Sequence, residues 1–354
     1  MRIRHRLAFD QGRQKERRSM GSANCGVCFR HCRIEEGGLG FCGARTCRDG
    51  KVVCANYGRV TSLAMDPIEK KPLARFYPGS FVLSVGSYGC NLRCPFCQNN
   101  EISWSDLAMR TAKAAVRQSA GPDGCDDPDD LSGRCDPDDL SSRCEDPGVL
   151  HTDYISPEML AGIAEQYKSS ALDDGLAPRR HTDRKTSGGC IGVAFTYNEP
   201  LVGYEYVRDT AKLVHEKGMK NVIVTNGTTC LDVLDELAPY VDAMNIDLKG
   251  FTDHYYRDVL GGDRKMVMDL IEAAVRICHV ELTTLIIPGE NDSEEEMAEL
   301  SEWAAGLDPE IPLHVTRFFP CFHMTDRGPT EVDSVIRLAE AARRNLKYVY
   351  TGNI

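Results

Sequence analysis

Three cysteines, Cys90, Cys94 and Cys97, stand in the run GSYGCNLRCPFCQN (86–99) and give the spacing C-x3-C-x2-C. Three thiolates do not close a tetrahedral zinc site, but they can hold three irons of a cubane [4Fe–4S] cluster and leave the fourth iron open to another ligand. The competing readings are a zinc loop that borrows a distant fourth ligand, or a chance cluster of cysteines. The apolar stretch FVLSVG (81–86) just before them reads as a buried strand, so the thiols sit where a strand passes into a loop.

A second group, Cys25, Cys28, Cys32 and Cys42, gives C-x2-C-x3-C-x9-C, with Cys47 and Cys54 beyond it. The glycine-rich EEGGLGFCG (35–43) reads as loops and short hairpins rather than helix. So short a segment has too little core to fold without a staple, which predicts a small cysteine-rich module over 20–60 built on a structural metal. Zinc is the first expectation for that metal and an iron–sulfur cluster the second.

The chain has 16 cysteines in 354 residues, yet its N-terminus, MRIRHRLAFDQGRQKERRS, is basic with no apolar core and is not a secretory signal. Metal or redox chemistry in a reducing compartment, the cytoplasm, is therefore expected in place of a disulfide framework. Residues 1–19 read as a disordered basic extension, with Met20 as an alternative start. Hydrophobic content of 42% and charged content of 27% are those of a globular chain, and no apolar run reaches membrane-spanning length. The net charge is −11, and residues 121–150, with ten acids and two arginines, carry −8 of it. The remaining −3 offers no basic footprint for nucleic acid.

The elements that would position the cysteines follow an alternating pattern. Residues 61–80, rich in proline and charge, read as a linker. Strands are then predicted at 81–86, 191–196, 221–225, 242–247, 279–287 and 313–318, with a seventh at 347–351. Helices are predicted between them at 157–170, 201–217, 230–238, 265–277, 293–306 and 331–345. This is an α/β chain with parallel strands and crossover helices, and a partial (β/α)6 barrel over 81–354 fits it better than a flat sheet. The regularity breaks at about 121–150, where DPDDLSGRC (127–135) is followed at once by DPDDLSSRC (136–144). That acidic, Pro/Gly/Ser-rich repeat is expected to be a disordered insertion, and its Cys125, Cys135 and Cys144 by-products of repetition.

In parallel β/α folds ligands gather at the C-terminal ends of strands. There the sequence puts TYNEP (196–200), TNGT (225–228), DLKG (247–250), PGEND (288–292) and RFFP (317–320). Any one of these is readily a turn or cap; five along the edge that carries the cysteine loop suggest a polar site.

Together with DPIEKKPLARFYPGS (66–80) and QNNEIS (98–103), these runs resemble the radical S-adenosylmethionine (SAM) enzyme of the AmmeMemoRadiSam system, a family related to pyruvate formate-lyase activating enzymes. The resemblance covers nearly everything from Cys25 to Ile354 except the acidic repeat. It implies a partial barrel of the radical SAM type in which Cys90, Cys94 and Cys97 ligate a [4Fe–4S] cluster. The open iron would chelate the amino and carboxylate groups of SAM, with Phe96 against the adenine and Glu199 accepting from the SAM ammonium. Asn226 and Gly227 would approach the cofactor, and Asp247 and Lys249 would lie near SAM or its carboxylate.

The implied activity is reductive cleavage of SAM to a 5′-deoxyadenosyl radical that abstracts hydrogen from a substrate, a protein glycine among the candidates. The implied partners are an electron donor such as flavodoxin or ferredoxin, and a protein substrate or the other proteins of that system. The family pattern continues past the YVYxGN run, whereas this chain stops at YTGNI (350–354). A non-catalytic iron–sulfur or zinc protein, serving as electron carrier or scaffold, is the alternative from another class.

Overall fold

The structure is a computed structural model that describes residues 21–118, 148–169 and 189–354. The basic N-terminal stretch and the acidic repeat with its three cysteines lie outside the described residues. One eight-stranded sheet organises the chain. Its strands are β1 (Ser62–Pro67), β2 (Phe81–Gly86), β3 (Cys190–Phe195), β4 (Lys220–Thr225), β5 (Ala243–Asp247), β6 (His279–Ile286), β7 (Leu313–Arg317) and β8 (Val349–Gly352). They lie side by side in sequence order. β2 to β8 are parallel, and β1 pairs antiparallel with β2.

The seven parallel strands match the sequence expectation closely, because most are short apolar runs buried on both faces. The crossovers are α1 (Asp106–Gln118), α2 (Pro157–Ser169), α3 (Tyr204–Glu216), α4 (Leu231–Leu237), α5 (Arg264–Ala274), α6 (Glu294–Leu307) and α7 (Val332–Ala342). In α3 the buried face is Tyr206, Val207, Thr210, Ala211 and Val214, the three- and four-residue spacing of an amphipathic helix. α1 was not expected. Its buried face is Ala108, Thr111, Ala112, Ala115 and Val116, the same spacing carried mostly by small residues.

Residues 61–80 are more than a linker. β1 forms the edge of the sheet, and Ile68, Leu73 and Phe76 are buried in a cluster with Val82, Ala194, Val222 and Ala243. The charges that suggested solvent exposure pair with one another. Asp66 accepts from Lys70 at 3.0 Å and from Lys71 at 2.9 Å, and Lys71 is itself buried. The segment closes the lower end of the sheet's inner face, where Asn245 donates to Pro72 O (2.8 Å) and Glu281 accepts from Ala74 N and Arg75 N (2.9 and 2.8 Å).

The N-terminal residues form antiparallel hairpins, Ser22–Asn24 with Arg33–Glu35 and Arg45–Arg48 with Lys51–Cys54. Cys25, Val27, Ile34 and Cys47 belong to the same apolar cluster as the sheet, so this module is continuous with the main core.

Candidate functional site

The cysteine loop leaves β2 through two glycines that tolerate no side chain. A Cβ on Gly86 would stand 2.8 Å from the Tyr197 ring, and one on Gly89, at φ +101°, 2.8 Å from Cys42 O. The loop is held from the β3 side, where Asn198 accepts from Ser87 N (2.9 Å) and donates to Gly89 O (3.1 Å). The backbone turn thus fixed sends Cys90, Cys94 and Cys97 to the wall of one large cavity of about 720 Å³, a size usual for small-molecule sites. Leu92 N points at Cys90 Sγ (3.4 Å) and Asn226 Nδ2 lies 3.7 Å from it, the kind of donors that support thiolate ligands. Burial pushes the Cys94 thiol up to about 11 against the opposing pull of Lys249; burial, Glu199 and Cys94 raise Cys90 as well. Metal binding would therefore have to expel protons here, and Lys249 favours that at Cys94.

Groups from the next three strand ends share the cavity. Glu199, 4% exposed, accepts from Leu201 N (3.0 Å) and Thr225 Oγ1 (2.8 Å) on one oxygen and from Asn226 N (2.8 Å) on the other. It therefore ties the end of β3 to the end of β4, a role its motif did not announce. Burial outweighs these donors and pushes its carboxyl up to about 7. Asn226, placed by that bond, faces the cavity.

At the end of β5, Lys249 Nζ stands 2.8 Å from Asp247 Oδ2. Burial works against the Lys249 charge, but Asp247 and the Cys94 sulfur hold its ammonium above the ordinary value. Phe96 lies in the wall with its ring edge-on to Phe318, centroids 6.5 Å apart.

Some expected residues are elsewhere. Gly227 does not line the cavity; at φ +76° the space beside its Cα is taken by Val267 and Ile246 (2.9 and 3.0 Å), so packing and backbone demand the glycine. PGEND and RFFP contribute nothing to the wall. Asn291, 2% exposed, instead braces the β5 loop by donating to Lys249 O (2.6 Å) and Leu285 O (2.9 Å).

Sequence reading also missed another part of the cavity wall, lined by Lys70, Thr283, His314, Thr316 and Tyr350. His314 Nε2 is 2.7 Å from Glu281 Oε2, and its ring stacks on Tyr350 at 5.3 Å. Glu281 is fully buried and also meets His279 Nε2 at 2.9 Å. The period-two alternation of LHVTR, which sends His314 and Thr316 to one face, was the available signal.

Among the described residues no three His, Cys, Asp or Glu side chains stand close enough to share a single metal ion. No described helix is long and apolar enough to cross a membrane.

Residues 177–301 match the family model of the Radical SAM superfamily, a span that begins beyond the cysteine loop. The chain is 34% identical over 333 residues to an uncharacterized protein of Methanocaldococcus jannaschii, covering 93% of this chain and 81% of that one. It is 29% identical over 143 residues to the pyruvate formate-lyase-activating enzyme of Clostridium pasteurianum, covering 40% of this chain and 58% of the enzyme. A solved structure of a radical SAM methyltransferase from Sphaerobacter thermophilus aligns with 78% of this chain and 67% of its own, at 15% identity and a TM-score of 0.48.

Proposed function

Because this chain belongs to the radical SAM superfamily, we propose that it reductively cleaves SAM at a [4Fe–4S] cluster held by Cys90, Cys94 and Cys97. The observation that carries the reading is the convergence of these three thiols with an acid, an acid–base pair and an amide from the ends of β3, β4 and β5 on one cavity. The donor set suits the group: three soft ligands for three irons, with N–H donors beside a sulfur. When bound, cluster and SAM supply homolysis of the SAM C5′–S bond, giving methionine and a 5′-deoxyadenosyl radical.

The protein's part is to bind, orient and exclude water. Asp247 and Lys249 form a charged pair suited to the zwitterionic end of SAM, and Asn226 adds a polar amide. Glu199 has one acceptor position left after its three donors, and that position would take the SAM ammonium. Phe96 offers an apolar face to the adenine.

For the hydrogen donor we favour a protein glycine, with the chain acting as an activating enzyme within an AmmeMemoRadiSam-type system. Support comes from the activating enzymes among its relatives, which it matches over about half their length. The required electron would come from a flavodoxin or ferredoxin. The test is anaerobic reconstitution followed by measurement of 5′-deoxyadenosine. The wild type should form it, and the triple variant Cys90→Ala/Cys94→Ala/Cys97→Ala should not. Full retention in the triple variant would refute the reading, and a cluster-loaded wild type that never cleaves SAM would favour an electron carrier. Deuterium transfer from labelled candidate substrates into 5′-deoxyadenosine identifies the donor.

A further inference from the structure

Cys25, Cys28, Cys32 and Cys42 converge on one small pocket, separate from the large cavity and shared with Arg30 and Asn91. The first three are brought together by a tight turn in which Cys25 N donates to Cys32 O (2.8 Å) and His31 N to Cys28 O (3.1 Å). Ala44 N points at Cys42 Sγ (3.4 Å), and the Asn91 side chain lies beside Cys28. Arg30 stands within electrostatic reach of Cys28, Cys32 and Cys42, so positive charge is on hand for a thiolate set. The neighbouring Cys47 and Cys54 are occupied otherwise, by Glu36 (3.6 Å) and Asn56 (3.1 Å). The spacing makes zinc the first expectation and an iron–sulfur cluster the second, and of the two only the cluster can carry an electron.

This pocket abuts the catalytic loop. Cys90 N donates to Cys42 O (3.2 Å), and Arg93 links Cys90 O (2.9 Å) to Phe41 O (2.7 Å). A short run of side chains joins the two thiol sets: Asn91 lies beside Cys28, Asn226 Nδ2 donates to Asn91 Oδ1 (2.9 Å), and the same nitrogen lies 3.7 Å from Cys90 Sγ. We propose that Cys25, Cys28, Cys32 and Cys42 hold a second iron–sulfur cluster that relays the reducing electron to the cluster on Cys90, Cys94 and Cys97. The relay half of this statement rests on the proposed SAM chemistry; the second cluster does not. A low-potential donor protein of the flavodoxin or ferredoxin class gives one electron to the second cluster. That cluster is reoxidised as it passes the electron to the first, where SAM cleavage consumes it. Zinc, which has no redox chemistry, could not serve.

Iron, sulfide and zinc are measured on the full chain after anaerobic reconstitution. The wild type should hold about eight irons and eight sulfides. Cys28→Ser/Cys32→Ser and the triple Cys90→Ala/Cys94→Ala/Cys97→Ala should each hold about half. The reduced cluster of the first variant should give an electron paramagnetic resonance spectrum that changes on adding SAM, and that of the second a spectrum that does not. One zinc per chain, or a triple variant devoid of iron, overturns the second cluster. The triple variant leaves the N-terminal site untouched, so it decides the matter even where Cys28→Ser/Cys32→Ser does not fold. For the relay, SAM cleavage is driven either by reduced flavodoxin or by dithionite. Cys28→Ser/Cys32→Ser should lose at least tenfold with flavodoxin and stay near wild type with dithionite; equal effects on both drives overturn the relay. Loss of SAM cleavage by the wild type under both drives would instead overturn the proposed function.

Discussion

At the scale of single residues, Glu199 has two demands on it. It ties β3 to β4 through three donors and stands at the wall of the cavity. A charged acceptor facing an ammonium is worth about 1.5–3 kcal/mol, so Glu199→Gln should weaken SAM binding by about one to two decades while leaving iron content unchanged. Titration calorimetry on the cluster-loaded protein checks this, and unchanged affinity would leave Glu199 a structural tie. Its carboxyl, pushed up to about 7 by burial, adds a pH signature. Below pH 7 the neutral acid predominates and offers no charge to the ammonium. SAM affinity should therefore rise as pH climbs through 7 in the wild type, and that component should vanish in Glu199→Gln. Gly89 gives a second residue-level test. Alanine there combines φ +101° with a contact 2.8 Å from Cys42 O, and should cost about 1–3 kcal/mol in stability. It should also lower iron retention, since the strain falls one residue before Cys90.

Among elements, the segment 66–76 is the one whose role changed most between sequence and structure. It is pinned under the sheet by Glu281, whose two oxygens serve two backbone amides and two histidines. Burial opposes its charge, yet the bonds from His279, His314, Ala74 and Arg75 outweigh that and hold the carboxyl at about 2. A depressed acid stabilises the fold above its unfolded value, near 4.3, and the contribution disappears as pH falls through 2. From that shift it is worth about 3 kcal/mol. Glu281→Gln should therefore lower the unfolding free energy by about 3 kcal/mol at pH 7. The difference from wild type should shrink as the pH falls below about 4. Urea denaturation at pH 7 and at pH 3 measures both, and a variant equal to wild type at pH 7 would remove Glu281 as the anchor.

At the scale of the molecule, the acidic repeat lies between α1 and α2, and the described residues on either side of it are already joined. Leu150 N donates to Thr111 Oγ1 at 2.7 Å, within the helix that precedes it. A long connection whose far side is anchored on the preceding helix can be shortened at little entropic cost. Deleting residues 123–146 should leave thermal stability, iron content and SAM cleavage close to wild type. Loss of the cluster in the deletion protein would mean that the repeat supplies ligands or packing of its own.

The strand and helix pattern from residue 81 onward was written in the sequence, because most parallel strands are short apolar runs and most crossover helices carry a periodic stripe. The meeting of Cys90, Cys94 and Cys97 on one cavity wall was legible too, since side chains on one loop are close in sequence as well as in space. Which polar runs reach the cavity was not legible. TYNEP, TNGT, DLKG, PGEND and RFFP look alike as strings, and only the tertiary arrangement brings the first three to the cavity wall and leaves Asn291 as a brace. Segment 61–80 was misread because its stabilising partners, Asn245 and Glu281, lie far along the chain, and no local pattern records a contact made across 173 or 207 residues. The same holds for the two cysteine groups. Their spacings stand 48 residues apart between Cys42 and Cys90, and only the tertiary packing, which sets Cys90 N on Cys42 O and lets Asn91 and Asn226 bridge them, makes the two sets neighbours.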